Sequence, residues 1–273
     1  SNPYWVINEN ATNINSNRVF GNVNLSYQLA SNLSASWQMS MDMTNQKVKS
    51  HGAVVNYATG SAQDLLGTIP IVGGVTESQV ERLEYDTFGV LNYNIDINDD
   101  LDIAASAGAT FNQRATDFLG ATITILDIPN YYELSNSAVP PVVTQNNTLR
   151  RTYGAFASAT ASYKNRYFLT LTGRNDWSST LPVENNSYFY PSVSLSGVVL
   201  DNNDTFLKLR AGFAQVANDT NPYNTESTLI QANGAAYFGN ITFPIGGVNA
   251  FELAGQLGNN TLLPEITSEY EIG

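Results

Sequence analysis

The chain has 273 residues, no cysteine, a single histidine (His51) and 12 Lys+Arg against 24 Asp+Glu, for a formal net charge of −12. Disulfides, thiolate metal sites and cysteine nucleophiles are therefore excluded, as is a multi-histidine metal centre. A phosphate-backbone partner needs a basic surface, so no nucleic acid is expected. Charged residues are only 13% of the chain and aromatics reach 11%. The charged share is about half that of soluble domains, and Asn, Ser and Thr carry the polarity instead.

No run approaches the ~18 apolar residues of a membrane helix. The opening SNPYWVINEN has neither a basic n-region nor an apolar h-region, so no signal peptide is read there. The closing EITSEYEIG stops inside a strand-like pattern, and the chain is expected to be a piece of something longer.

The dominant signal is period two. Over 19–29, Val19, Val23, Leu25, Tyr27 and Leu29 oppose Asn22, Asn24, Ser26 and Gln28. After a break at 30–32 the alternation restarts over 33–43, with Trp37, Met39, Met41 and Met43 opposing Gln38, Ser40 and Asp42. Two strands and a tight turn are predicted. A second hairpin covers 83–97 and 101–111 about Asn98-Asp99-Asp100, and a third covers 151–163 and 166–174 about Lys164-Asn165. A fourth covers 190–200 and 205–215 about DNND, and a ninth strand occupies 266–273. The predicted links alternate: short near 31, 99, 164 and 202, and mostly long over 44–79, 115–149, 175–188 and 216–265. Long structureless loops count against a compact soluble domain. They suit an outer-membrane barrel with short periplasmic turns and long extracellular loops.

Each alternating run has about 10 to 13 residues, which at ~3.3 Å per residue and ~40° tilt spans roughly 25–33 Å, close to a barrel's apolar band. Lipid leaves no backbone group unpaired, so such strands belong to a closed barrel. The expected fold is all-β: an up-and-down antiparallel transmembrane barrel segment of about nine long strands. Its odd-numbered residues over 17–97 and 101–113 face lipid. Where the strands leave the apolar band at the link 175–188, Trp177, Tyr188, Phe189 and Tyr190 are predicted to form an interfacial girdle, with Tyr163 and Tyr167 in the opposite one.

NRYFLTLTGRNDWSSTLPVENNSYFYPSVSLS (165–196), FLKLRAGFAQVAN (206–218) and LLPEITSEYEIG (262–273) together resemble the second half of the barrel of SusC/RagA-type TonB-dependent transporters. The likeness covers 148–273 well, SNPYW near the start more weakly and the rest by pattern. The sequence departs from the family at Gly197-Val198-Val199 and at QVAN (215–218). The resemblance implies a barrel of about 22 strands with a luminal plug. It implies import of a bulky nutrient, a glycan fragment or peptide, across the bacterial outer membrane. It also implies a SusD-like surface lipoprotein as lid and energy from a TonB complex. Residues 1–273 are expected to be a partial barrel domain, with plug, TonB box and barrel closure outside this chain.

Other chemistry is weak. His51 reads as a loop residue. The Asp/Asn clusters at 98–100, 201–204 and 218–221 lack the ligand spacing of an EF-hand and read as turn chemistry. Glu81, Glu84 and Asp86 read as a solvated luminal wall rather than a hydrolase acid pair. No cofactor, metal or enzyme activity is expected. Arg174, Lys208 and Arg210 are predicted luminal charges, with Asp176 a natural partner. Trp177, Tyr188, Tyr190, Tyr223, Tyr237 and Phe238 are candidate ligand or lid contacts. The competing reading is an extracellular β-sheet adhesion or carbohydrate-binding protein.

Overall fold

The computed structural model describes residues 3–67, 69–202, 204–236, 239–243 and 245–273. A short helix, α1 (Pro3–Glu9), leads into β1 (Ala11–Ala30) and β2 (Leu33–Val55). A one-turn helix, α2 (Ala62–Leu65), precedes β3 (Ile71–Asn98) and β4 (Leu101–Ile123). Then come β5 (Val142–Tyr163), β6 (Tyr167–Ser178), β7 (Ser187–Asn202) and β8 (Thr205–Asn218). The following link carries β9 (Leu229–Gln231), β10 (Asn233–Ala236), β11 (Gly239–Thr242) and β12 (Phe251–Leu253), and β13 (Glu265–Ile272) closes the order.

Nine strands form one sheet in the order β1-β2-β3-β4-β5-β6-β7-β8-β13, so the eight long strands pair in sequence. The hairpin β10–β11 and the pair β9–β12 stand apart from it. The turn at 163–166 is closed by the Arg166 amide donating to the Tyr163 carbonyl at 3.0 Å. Its central residues Lys164 and Asn165 have φ of 54° and 51°, the positive pair that fits the twist of a tight hairpin.

The strands are longer than the alternation predicts. β1 to β5 have 20, 23, 28, 23 and 22 residues. The expected long loops at 44–79 and 115–149 are therefore about half strand, and the true links are 56–70 and 124–141. The physical reason lies in β2, where the odd positions change from Met39, Met41 and Met43 to Asn45, Lys47 and Lys49. Over 44–52 the odd and even positions are both mainly polar, Val48 apart, so the strand continues without a hydrophobic period to announce it. His51 lies within β2, not in a loop.

Two compact units divide the chain. The first comprises Ser1–Asn22, Ser40–Tyr85 and Arg114–Leu149. Its core is Val75, Ile123 and Leu126, with Val54, Tyr132 and Leu134 packed against them. The link 124–141 folds onto this core. Asn136 donates to the Ile128 and Tyr131 carbonyls at 2.8 and 2.6 Å, Lys49 bridges Glu77 at 2.8 Å and Glu133 at 3.1 Å, and the His51 ring stacks on Tyr132 at 3.8 Å. Gly73, at φ 72°, lies where a Cβ would meet Leu126 Cδ1 at 2.8 Å, which explains a glycine there.

The second unit comprises Val23–Met39, Asp86–Gln113 and Arg150–Gly273. Its register separates two faces. Leu169 pairs with Leu195 and Ala161, Leu171 with Val193 and Ala159, and Phe213 with Val193 and Tyr270. This face is apolar. One residue out of phase, Thr170 pairs with Ser194 and Thr160, and Thr172 with Ser192 and Ser158. That face is polar.

The apolar face is uncovered. Leu25 is 60% exposed, Trp37 39%, Ile95 37% and Leu195 55%. Stacked sheets would bury such side chains at their shared interface. A contiguous apolar surface of this extent is what a hydrocarbon solvent requires and water penalises. The adhesion reading, which needs a soluble sandwich or solenoid core, is not what the strands build.

Candidate functional site

The polar face is most elaborate where β5 to β8 meet their longer links. Arg174 on β6 pairs with Tyr190 on β7, and Asp176 with Tyr188 and Gly154. Residues paired across an antiparallel sheet share a face, so these side chains converge. Arg174 donates from Nε to Asp176 Oδ1 at 2.8 Å and from Nη2 to Thr110 Oγ1 at 3.0 Å. The Tyr190 hydroxyl donates to Asp176 Oδ2 at 2.5 Å. Asp176 is buried, so both carboxylate oxygens take a partner and the charge is compensated. The expected pairing of Arg174 with Asp176 is therefore present.

Asp219 gathers a second cluster. Its side chain is 3% exposed. Arg150 donates to Oδ2 from Nε at 2.8 Å and to Oδ1 from Nη2. Ser178 and Thr180 donate to Oδ2, the latter at 3.0 Å. One carboxylate thus ties together β5, the link after β6 and the start of the link after β8. Burial pushes the Asp219 carboxyl up, but hydrogen bonds from Arg150, Ser178 and Thr180, with the Arg150 charge, outweigh it and hold the group below its ordinary value. The 218–221 cluster reads as turn chemistry in sequence; at Asp219 it is instead an ion-paired latch.

Tyr188 lies between the two clusters, buried, with its ring 6.2 Å from that of Tyr190. Trp177 and Phe189 point the other way: Tyr153 pairs with Trp177 and Asn175 with Phe189 on the apolar face. Strand alternation separates them, so the predicted four-ring girdle is corrected to Trp177 and Phe189, with Tyr153 beside Trp177 and the Phe111 ring 4.9 Å from Tyr153. Tyr163 and Tyr167 pair directly and are 46% and 51% exposed, at the opposite end of the apolar band as expected.

The remaining predicted residues scatter. Tyr223 is exposed in the long link with a φ of 66°. Tyr237 and Phe238 lie outside the described residues. Lys208 and Arg210 are on the polar face but toward the short turns: Lys208 Nζ lies 5.4 Å from the Phe168 ring, and Arg210 pairs with Glu271 at 2.7 Å. Among the described residues no group of three or more His, Cys, Asp or Glu side chains is placed to hold a metal ion.

Gly154 makes room for the inner cluster. A Cβ there would touch Asp176 Oδ1 and lie 2.5 Å from both Arg174 Nη2 and Thr110 Oγ1. Gly154→Ala is expected to cost about 1–3 kcal/mol by overpacking, read as a lowered urea midpoint with the slope unchanged. An unaltered midpoint would mean that the cluster yields freely.

The fold recurs in known proteins. The family model described as TonB dependent receptor-like, beta-barrel matches residues 1–273. The chain is 28% identical, over 59% of its length, to TonB-dependent receptor P26 of Formosa agariphila, of which it covers 17%. Its fold is similar to that of the RagAB peptide importer in the closed-closed state, with a TM-score of 0.82 and 16% identity, covering 99% of this chain and 29% of that one. A second structure, the RagAB peptide transporter, gives a TM-score of 0.81 and 15% identity over 97% of this chain and 28% of that one. The siderophore receptor PiuA from Acinetobacter baumannii gives a TM-score of 0.52 and 12% identity over 94% of this chain and 37% of that one. The chain therefore spans less than a third of the curated relative and of the RagAB chains. With its family match over residues 1–273, its uncovered apolar face and its sequentially paired long strands, the chain belongs to the TonB-dependent receptor-like β-barrel family of outer-membrane proteins.

Proposed function

We propose that this chain supplies part of the wall and extracellular loops of a RagA-type importer that carries a bulky nutrient, a glycan fragment or peptide, across the outer membrane. The observation that carries the reading is the division of β5 to β8 into an exposed apolar face and a polar face bearing Arg174, Lys208 and Arg210. A lipid-facing wall lining a watery bore needs that division. In this reading the polar face is luminal, the short turns are periplasmic and the long links are extracellular. A plug and the remaining strands lie in other parts of the whole protein. A TonB complex supplies energy, and a SusD-like lipoprotein covers the mouth. The RagAB structures are described as those of a peptide transporter and importer, which supports peptide as one cargo class. Tyr188 and Tyr190 then brace the mouth, while Tyr223 on the exposed link is better placed to meet cargo or lid.

The test is uptake by living cells with and without the gene. Labelled oligopeptide and oligosaccharide pools are supplied separately, with and without a protonophore. Uptake of one pool should fall to background on deletion and on loss of the proton gradient. Undiminished uptake of both pools on deletion would refute import.

A further inference from the structure

Within the first unit, five charged side chains from four neighbouring strands line one hollow of about 400 Å³. Arg18 on β1 grips Asp42 on β2, with Nε to Oδ1 at 2.9 Å and Nη2 to Oδ2. Arg114 on β4 donates from Nε to Glu84 Oε1 on β3 at 2.8 Å. Arg82, also on β3, lies in the same hollow, is exposed and has no carboxylate partner among the described residues. All five have even numbers and so share the polar phase of their strands. The opposite phase carries Val19, Met41 and Met43, which are 56%, 40% and 45% exposed and belong to the apolar face.

Both ion pairs are well exposed, with side-chain exposures of 59% and 35% for Arg18 and Asp42 and 56% and 42% for Arg114 and Glu84. Such pairs contribute little stability. Their effect here is positional, because each neutralises a flank and leaves Arg82 as the net charge of the hollow. A locally cationic site in a chain of net charge −12 is suited to an anion. The planar guanidinium, with parallel N–H donors, matches a carboxylate in particular.

We propose that Arg82, flanked by the Arg18–Asp42 and Arg114–Glu84 pairs, is a recognition site for a carboxylate on the imported solute. The proposal rests on the import reading and narrows its cargo to acidic peptides or uronate-bearing glycans. The bidentate match favours these over neutral cargo, and the hollow has room for one residue or sugar ring with its carboxylate, not a chain.

The test is equilibrium binding to the full-length protein in detergent. The probes are fluorescein-labelled tetraglutamate against tetraglutamine, and tetragalacturonate against its methyl ester. One acidic probe should bind more tightly than its neutral counterpart, and more weakly as salt rises. Arg82→Gln should weaken that binding by about tenfold, while Arg82→Lys, which keeps the charge but loses the fork, should recover part of it. Which acidic probe responds distinguishes peptide from glycan. Equal binding of acidic and neutral probes, absence of binding by both acidic probes, or equal binding by Arg82→Gln and the native protein would overturn the site. A fall in thermal stability with unchanged binding would place Arg82 in the protein's own packing and overturn it equally. None of these outcomes touches the deletion experiment, whose failure alone removes the import reading.

Discussion

Replacing Asp219 with alanine should release the link 219–264 at its base and loosen 179–186 with it. The Asp219 carboxylate is nearly fully buried and Arg150 is 26% exposed, so the substitution strands a half-buried guanidinium and removes the acceptor of Ser178 and Thr180. Breaking a buried pair by deleting one partner costs about 3–5 kcal/mol. Even about 3 kcal/mol, if felt as local opening, raises amide exchange roughly a hundredfold. Hydrogen exchange on the full-length protein should therefore show faster exchange at Ser178, Ser179 and the first residues of the link. The centres of β6 and β7 should stay protected by their ladders. Asp219→Asn keeps an acceptor and loses the charge, so its effect should be intermediate. Unchanged exchange in both variants would mean that the latch holds nothing.

The same carboxylate sets a pH dependence. Its folded value lies below the ordinary aspartate value of 3.8. The unfolded state therefore binds the proton first as pH falls, and stability falls with it. The contribution of the latch is full above about 3.8 and is lost as pH drops through the lower folded value. At neutral pH the base of the link is at its tightest. The protection factor at Ser178, in which the intrinsic pH dependence of amide exchange cancels, should fall in native protein only on strong acidification, and in Asp219→Ala should be insensitive to it.

The membrane part of the fold was legible because, over that part of the long strands, one phase carries the exposed apolar face. Val23, Leu25, Tyr27 and Leu29 against Asn22, Asn24, Ser26 and Gln28 admit one reading in period two. Where neither phase carries a sustained apolar row the period vanishes, and residues 44–55 and 71–79 read as loop although they are strand. The site was less legible. The pairing of Arg174 with Asp176 follows from a two-residue spacing on one strand. Arg150 and Asp219 are 69 positions apart, and no local pattern joins them. Tyr188 and Tyr190 were sortable from Phe189 by parity alone; grouping them by aromatic character hid that two face Asp176 and one faces lipid. The Arg18, Asp42, Arg82, Glu84 and Arg114 row carries the same parity signal, visible only once the strands are known to be neighbours.

That parity has its sharpest consequence at Leu195. It pairs with Leu169 on one side and Ala211 on the other, in the middle of β7, and is 55% exposed. Ser194, one residue away, pairs with Thr170 and Gly212 on the polar face. Arginine placed toward lipid near the midplane of a barrel costs about 2–4 kcal/mol, whereas substitutions on a wet wall stay within about 0.5 kcal/mol. Leu195→Arg should therefore lower the urea midpoint of the full-length protein in phospholipid vesicles, and Ser194→Arg should leave it nearly unmoved. Loss of stability alone would also follow if Leu195 were in a protein core, so a second readout is needed. Tryptophan introduced as Leu195→Trp should be quenched by brominated acyl chains, and as Ser194→Trp by aqueous iodide. Lipid quenching at 194 with none at 195 would invert the faces and remove the basis for a luminal Arg82. Iodide quenching at both positions would place the whole strand in water, where an apolar face this large has no reason to stay open.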